Sequence, residues 1–321
     1  MTLQQILYAL KIAETGSMNK AAAELFVSQP TLTSAMQELE AEIGQSIFRR
    51  SNRGAAPTEA GHRFLGDARS LLNQYQTLID RYTGAGPRRS FAVSTQHFSF
   101  AVKCFVNMVQ ALDPASYKLA IRETRTLDVI RDVGSGISNL GILYLSEFNR
   151  KYILKLLEEA GLDFTPITSC QACVYLHRDH PLAERDALSL EDLAPYPCLS
   201  FDQGADSLFY LAEEILSDNE FERSIKVSDR STVLNLMIGL NGYTLCPGVV
   251  CEELNGDVCR VIPYKEDADN PNRRMEIGYL TKKNALLSEA AQEYIKQLTA
   301  YFENSEPGSE KTLSGEKENE A

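Results

Sequence analysis

The sequence predicts an α + α/β protein: a winged helix-turn-helix, a long helix suited to dimerisation, and then an α/β domain of two lobes. Three observations lead to this prediction. Helix caps divide the first 58 residues into short helices, apolar residues recur about every 3.5 positions across the next segment, and strand-like runs alternate with helical patterns beyond residue 88. We therefore expect four segments, at residues 1–58, 59–87, 88–303 and 304–321.

Three short helices and a basic turn are expected in residues 1–58. A first helix from Leu3 to Thr15 ends at Gly16, and Ser17 caps a second helix from Met18 to Leu25. The apolar spacing of the first helix predicts a buried stripe of Leu3, Ile6, Leu7, Leu10 and Ala13. Two helices joined by the tight turn at Phe26 and Val27 form a helix-turn-helix pattern.

The third helix is predicted to begin at Ser28, with Pro30 in its first turn, and to end at Gly44. Its buried stripe is Leu32, Met36, Leu39 and Ile43, which leaves polar residues facing outward. A short strand at Ile47 and Phe48 then leads into the basic turn Arg49 to Gly54, which we interpret as the wing.

A long helix is predicted from its Thr58 cap to about Tyr82. Apolar residues follow one another in steps of 4, 3, 4, 3 and 4, at Phe64, Ala68, Leu71, Tyr75, Leu78 and Tyr82. A helix serving a local core drifts at about 3.6 residues per turn, whereas a period of about 3.5 is typical of paired helices. The pattern favours a homodimer or homotetramer over the alternative of a core helix. Gly84 to Pro87 would form a hinge.

Beyond the hinge, strands and helices alternate, which indicates a mostly parallel sheet with helices on its faces. Helices are expected near residues 98–111, 127–134, 152–160, 208–216 and 231–240. A last strand, residues 275–281, and a last helix, residues 288–302, would return to the first lobe. Residues 304–321 are rich in Glu, Ser and Gly, and we expect a disordered acidic tail.

The net charge of −12 does not oppose contact with nucleic acid, because residues 1–65 carry six basic and six acidic side chains. The seven cysteines are scattered, and we expect reduced, packed thiols. Cys170 and Cys173 lack a second pair or flanking histidines, so no metal site is expected. No nucleophile triad or phosphate loop is recognisable, which argues against an enzyme. Without a secretory signal, the expected location is the cytoplasm.

The segment from Ala13 to Gly61 resembles the signature of LysR-type transcriptional regulators. The matching residues are Gly16-Ser17, Ala21-Ala22, Leu25, Ser28-Gln29-Pro30, Leu39-Glu40, Gly44, Phe48, Arg50, Thr58 and Gly61. The resemblance implies a DNA-binding domain, a dimerisation helix and an effector domain similar to periplasmic solute-binding proteins. Position 34 departs from the family, because Ser34 stands where Arg is common.

The helix-turn-helix pattern and the resemblance together predict the residues that contact double-stranded DNA. The third helix would enter the major groove, where Gln29 can pair with adenine and threonines can touch base edges. Wing arginines would reach phosphates or the minor groove. The predicted contacts are Ser28, Gln29, Pro30, Thr31, Thr33, Ser34, Gln37, Arg50 and Arg53.

A small polar or anionic metabolite is expected between the two lobes, beyond the carboxyl ends of the strands. The predicted contacts are Thr95, Gln96, Thr124, Thr126 and Gln203. Arg125 is interpreted as a surface residue and His97 as a packed or capping histidine. No cofactor is expected, and RNA polymerase is a further candidate partner.

Two alternatives stay open. A regulator of the same family could respond to redox change through a cysteine such as Cys198 or Cys246, or the chain could be a solute-binding protein.

Overall fold

The structure is a computed structural model. It describes residues 1–51, 54–83, 89–112, 117–204, 208–215, 221–247, 258–265 and 274–303. The expected hinge at residues 84–87, the acidic tail at 304–321, and Arg53 of the wing lie outside the described residues.

Three helices and a hairpin form the N-terminal domain, as the capping signals predict. The helices are α1 (Leu3–Thr15), α2 (Met18–Glu24) and α3 (Gln29–Ile43), and the strands are β1 (Phe48–Ser51) and β2 (Gly54–Pro57). Gly16 and Gly44 end α1 and α3 in the left-handed conformation, with φ of 64° and 69°. The two strands pair antiparallel, so the predicted wing is a hairpin.

The buried face of α1 differs from the predicted stripe. Leu3 and Leu7 are 37% and 48% exposed, whereas Tyr8, Ala9 and Ile12 are buried against α2 and α3. The prediction followed the large leucines, but the neighbouring helices pack on the side that carries Ala9. The Tyr8 ring is buried, and its hydroxyl at the edge of this core accepts a hydrogen bond from Gln4 Nε2 at 2.7 Å.

The long helix α4 (Glu59–Thr83) begins where predicted. The Thr58 hydroxyl accepts a hydrogen bond from the Gly61 amide at 2.9 Å. In its first turns, Leu65 and Ala68 are buried in the domain, at 2% and 4% exposure. Further along, the apolar seam emerges from the protein: Leu71, Tyr75, Leu78 and Ile79 are 36–52% exposed.

The C-terminal domain is built on one continuous sheet of nine described strands. The order is β4-β3-β5-β11-β6-β9-β7-β8, and β10 also pairs with β6. Their bounds are β3 (Arg89–Thr95), β4 (Tyr117–Glu123), β5 (Leu140–Leu145), β6 (Leu162–His177), β7 (Cys198–Phe201), β8 (Ser224–Val227), β9 (Tyr243–Pro247), β10 (Cys259–Pro263) and β11 (Arg274–Lys282).

The 16-residue strand β6 runs through both lobes and joins their sheets. Strands β3, β4 and β5 are parallel in the first lobe, and β7, β8 and β9 are parallel in the second. The strands β6, β10 and β11 pair antiparallel. The expectation of parallel sheets therefore holds for each lobe, and the shared centre is antiparallel.

Helices cover the sheet at α5 (Ser99–Ala111), α6 (Thr126–Gly134), α7 (Glu147–Glu159), α8 (Leu190–Leu193), α9 (Arg230–Leu240) and α10 (Glu289–Glu303). The last helix returns to the first lobe, as predicted. The Tyr294 hydroxyl of α10 donates a hydrogen bond to the Ala101 carbonyl of α5 at 3.0 Å, and its ring packs on Phe91. Among the described helices, none combines the length and apolar character that crossing a bilayer requires.

The prediction of a helix at residues 208–216 was wrong over residues 208–215, and residue 216 lies outside the described residues. A single 3₁₀ turn, Phe209–Leu211, is followed by irregular backbone through Ile215. The physical reason is tertiary: main-chain carbonyls of this segment accept hydrogen bonds from the first lobe, which competes with helix formation. The short helix α8 and strand β10 were not predicted.

The helix α4 rests directly on the end of α6. The Arg69 guanidinium donates a hydrogen bond to the Ser135 carbonyl at 2.7 Å, and Lys282 Nζ lies 3.0 Å from Asp67 Oδ1. A Cβ atom at Gly66 would overlap the Gly134 carbonyl oxygen, so only glycine allows this approach. The first lobe is thus tied to the helix that follows the wing.

Candidate functional site

The exposed N-terminal end of α3 carries the residues predicted to contact DNA. Ser28 caps the helix by accepting a hydrogen bond from the Thr31 amide at 3.2 Å, and the two hydroxyls lie 2.7 Å apart. Ser28, Gln29, Pro30 and Thr31 are all exposed. The cap fixes the first turn, so side chains able to reach a base edge start from an ordered backbone.

The next turn of α3 continues this polar face. Gln29 Nε2 donates a hydrogen bond to the Thr33 hydroxyl at 2.9 Å, which orients the amide along the helix. Thr33 is half-buried, whereas Ser34 and Gln37 are exposed. Six of the seven predicted residues of α3 and its cap are thus exposed, away from the buried residues Leu32, Met36 and Leu39.

A single carboxylate connects α3 to the wing. Glu40 Oε1 accepts hydrogen bonds from the Ile47 amide at 2.7 Å and the Phe48 amide at 3.0 Å. Its other oxygen lies 3.5 Å from the Arg50 guanidinium. Glu40 is therefore a positioning residue for the wing, a role that the sequence interpretation missed.

The predicted effector residues of the first lobe lie together where β3 and β4 end. Thr95 and Gln96 are fully buried, and the Thr95 carbonyl accepts the Thr124 amide at 2.9 Å. Gln96 Nε2 donates to the Thr126 hydroxyl at 2.6 Å, and its Oε1 accepts the Tyr144 amide at 3.1 Å. Both ends of the Gln96 side chain thus bind protein groups.

Gln203 reaches this cluster from the second lobe. Its Oε1 accepts the Thr126 amide at 3.0 Å, at the first residue of α6, and its Nε2 donates to Glu213 Oε1 at 2.7 Å. Helix α6 has no side-chain cap of its own, because its N-cap residue is Arg125. An amide from the opposite lobe therefore takes the place of a cap.

Among the described residues, two ion pairs join the lobes at the edges of the cleft. Arg125, interpreted as a surface residue, donates from Nε to the Asp202 carbonyl and from its terminal nitrogen to Asp202 Oδ2, each at 3.0 Å. Arg230 of α9 pairs with Glu123 at the end of β4. These contacts join the two lobes directly across the cleft.

A buried carboxylate that the sequence interpretation missed lies inside the cleft. Glu213 Oε2 accepts the His97 amide at 2.8 Å and lies 2.9 Å from His97 Nδ1. The His97 ring stacks on Phe201 with centroids 3.8 Å apart, so its prediction as a packed residue is confirmed. Burial and the neighbouring Glu213 raise the pKa of Glu214 to about 8. No sequence pattern distinguished Glu213, because residues 208–216 have the apolar spacing of a helix, in which an acidic residue is common.

The described cysteines have the properties of packed thiols. Burial raises the pKa of Cys170 and of Cys198 to about 12, and raises the pKa of Cys246 well above its usual value. A raised pKa disfavours the reactive thiolate, so the geometry offers no support for the redox alternative. The described residues also contain no group of His, Cys, Asp or Glu that could hold a metal ion.

The comparisons with known proteins agree with this architecture. Residues 3–62 match the family described as bacterial regulatory helix-turn-helix protein, lysR family, and residues 101–303 match the LysR substrate binding domain. An uncharacterized HTH-type transcriptional regulator of Escherichia coli, YbhD, is 25% identical over 89% of this chain and 87% of its own.

Two solved structures show the same fold over nearly the whole chain. A full-length OxyR variant from Pseudomonas aeruginosa has a TM-score of 0.62 at 20% identity, covering 94% of each chain. Full-length CbnR in complex with its target DNA has a TM-score of 0.52 at 19% identity, covering 94% of this chain and all of that one. The chain therefore belongs to the LysR family of DNA-binding transcriptional regulators, with a helix-turn-helix domain followed by an effector-binding domain.

Proposed function

We propose that the polar face of α3 reads base edges in the major groove and that the wing holds the adjacent backbone. The observation that carries this proposal is the exposed, capped first turn of α3 beside the Glu40-anchored wing. Gln29 can make a bidentate contact with adenine. Arg50, together with Arg53 outside the described residues, would bind phosphates or enter the minor groove.

The proposed assembly is a homodimer, or a tetramer of two such dimers, formed through the second half of α4. Leu71, Tyr75 and Leu78 are each more than 40% exposed although they continue the heptad seam that Phe64 and Ala68 begin. A second copy of the same helix would bury these side chains. Such a pair would also place two α3 faces on successive turns of duplex DNA.

The proposed effector is a small polar or anionic metabolite held between the lobes by the cluster of Thr95, Gln96, Thr124, Thr126 and Gln203. Residues 1–58, 59–87 and 88–303 would then form the DNA-binding, dimerisation and sensing segments. Because the target is chromosomal DNA, we also place the protein in the cytoplasm.

Fluorescence anisotropy with a promoter library tests the reading of DNA. Gln29→Ala should weaken discrimination at one base pair by about 1–3 kcal/mol. Gln45→Ala is the matched control, because Gln45 is exposed beyond the C-terminal end of α3. An unchanged sequence preference in Gln29→Ala would remove Gln29 from the interface. Absence of wild-type binding to duplex DNA at low salt would overturn the whole proposal.

A further inference from the structure

The segment Leu208 to Ile215 leaves the second lobe and lies in the cleft against the first. The Thr126 hydroxyl donates a hydrogen bond to the Leu211 carbonyl at 2.7 Å. The Tyr144 hydroxyl lies 3.0 Å from the Ala212 carbonyl and 3.1 Å from the Glu214 carbonyl. The Leu211 side chain is 4% exposed and packs among apolar residues of α6 and β5. The segment therefore occupies polar groups that an effector would use.

The Glu213 carboxylate is held as a bound acid would be. One oxygen accepts the His97 amide and contacts the His97 ring, and the other accepts Gln203 Nε2. The Glu213 and His97 side chains are 4% and 8% exposed. Donors from both lobes thus converge on a single carboxylate.

The sequence of this segment also suits a second conformation. Leu208, Leu211, Ala212 and Ile215 have the spacing of a helical stripe, and Leu, Ala and Glu are among the strongest helix formers. In the docked segment this stripe is split, because Leu211 and Ile215 are buried while Leu208 is 49% exposed. Contacts in the cleft therefore oppose the local helical preference, and a segment released from the cleft would be free to form a helix.

We infer that Leu208–Ile215 is an internal ligand of the effector cleft, and that a small carboxylic acid activates the sensing domain by taking the place of the Glu213 carboxylate. This inference rests on the proposed function, since it specifies the chemical class and the regulation of the same cleft. A tethered carboxylate competes with free acid as if it were present at a high local concentration. Wild-type protein then binds acids more weakly than a chain without the Glu213 carboxylate.

The test uses the full chain and three probes: acetate, succinate and benzoate, with succinamide as the uncharged control. Calorimetry should give an affinity for at least one acid about tenfold or more higher in Glu213→Ala than in wild type. Glu184→Ala is the matched control, because Glu184 is an exposed glutamate of the second lobe. Its affinity should equal that of wild type.

A second measurement follows the segment itself in a chain that keeps Glu213. The protein contains no tryptophan, and the Tyr210 ring packs on Phe148 and Tyr152 with centroids 4.8 and 5.4 Å apart. In Tyr210→Trp, the emission of the single tryptophan should shift to the red when acid displaces the segment. This readout decides the question if Glu213→Ala does not fold.

Equal acid affinities in wild type and both glutamate variants would overturn the inference. So would acid binding that leaves the tryptophan emission unchanged, or a failure of all three acids to bind folded Glu213→Ala at high millimolar concentration. These failures are distinct from failure of the proposed function, which is read from duplex DNA binding by the wild-type protein.

Discussion

Replacing Glu40 by alanine should loosen the wing without unfolding the rest of the domain. The Glu40 carboxylate accepts two backbone amides, at 2.7 and 3.0 Å, and its side chain is only 16% exposed. Hydrogen bonds to a charged group contribute about 1.5–3 kcal/mol each, and water can replace part of that once the side chain is gone. We therefore expect local opening of the wing to become easier by about 2–4 kcal/mol.

Hydrogen exchange followed by mass spectrometry measures this opening directly. Because each 1.4 kcal/mol is about a factor of ten, the peptide containing Ile47 and Phe48 should exchange about 30- to 1000-fold faster in Glu40→Ala. Glu38→Ala, at an exposed position on the same helix, should exchange like wild type. Affinity for duplex DNA should fall for all sequences alike, since the wing is proposed to hold the backbone. Unchanged exchange in Glu40→Ala would refute this reasoning.

Three further predictions follow from burial and exposure. Leu78→Glu places a charge on the exposed seam of α4 and should convert dimers to monomers in analytical ultracentrifugation, whereas an unaltered mass would exclude this seam as the interface. The pKa of Glu214 is about 8 in the folded protein and about 4.5 in the unfolded chain, so the folded state keeps this proton to higher pH. The free energy of unfolding should therefore fall as pH rises from about 4.5 to about 8, by up to roughly 5 kcal/mol. Glu214→Gln should flatten this slope in thermal unfolding, and a wild-type profile without the slope would contradict the raised pKa. Because the pKa of Cys198 is about 12, only about one thiol in 10⁵ is ionised at neutral pH. Iodoacetamide should therefore label Cys198 only after unfolding. Rapid labelling of the native protein would instead favour the redox alternative.

Short-range sequence patterns predicted the elements whose boundaries depend on neighbouring residues. Ser28, Pro30 and Gly44 mark α3 because capping and backbone geometry depend on near neighbours in the sequence. The heptad spacing likewise predicted both the length of α4 and the emergence of its apolar seam. The family resemblance, confirmed by the two domain matches, gave the order of domains.

The features that the sequence patterns did not predict depend on contacts between residues far apart in the chain. Nothing within α1 indicates that Ala9, rather than Leu7, faces the neighbouring helices. The segment around Glu213 has helical spacing, yet groups more than 60 residues away in sequence, on His97, Thr126 and Tyr144, bind its backbone and side chain. The sequence patterns predicted four effector contacts in the first lobe and a fifth at Gln203, and the structure brings these five residues together. The patterns did not single out the Glu213 carboxylate that lies among them.

The glycine contact between α4 and α6 has a consequence for protein engineering. Helix α6 begins at the cleft with Thr126 and ends at Gly134, whose carbonyl oxygen lies against Gly66, so these nine residues run from the cleft between the lobes to α4. Effector domains from other regulators, fused to this DNA-binding half, would keep this close contact only if no side chain stands between their backbone and Gly66. If the proposed function holds, a bulkier graft would fold and bind its metabolite, and we expect transcription not to respond because the contact with α4 is lost.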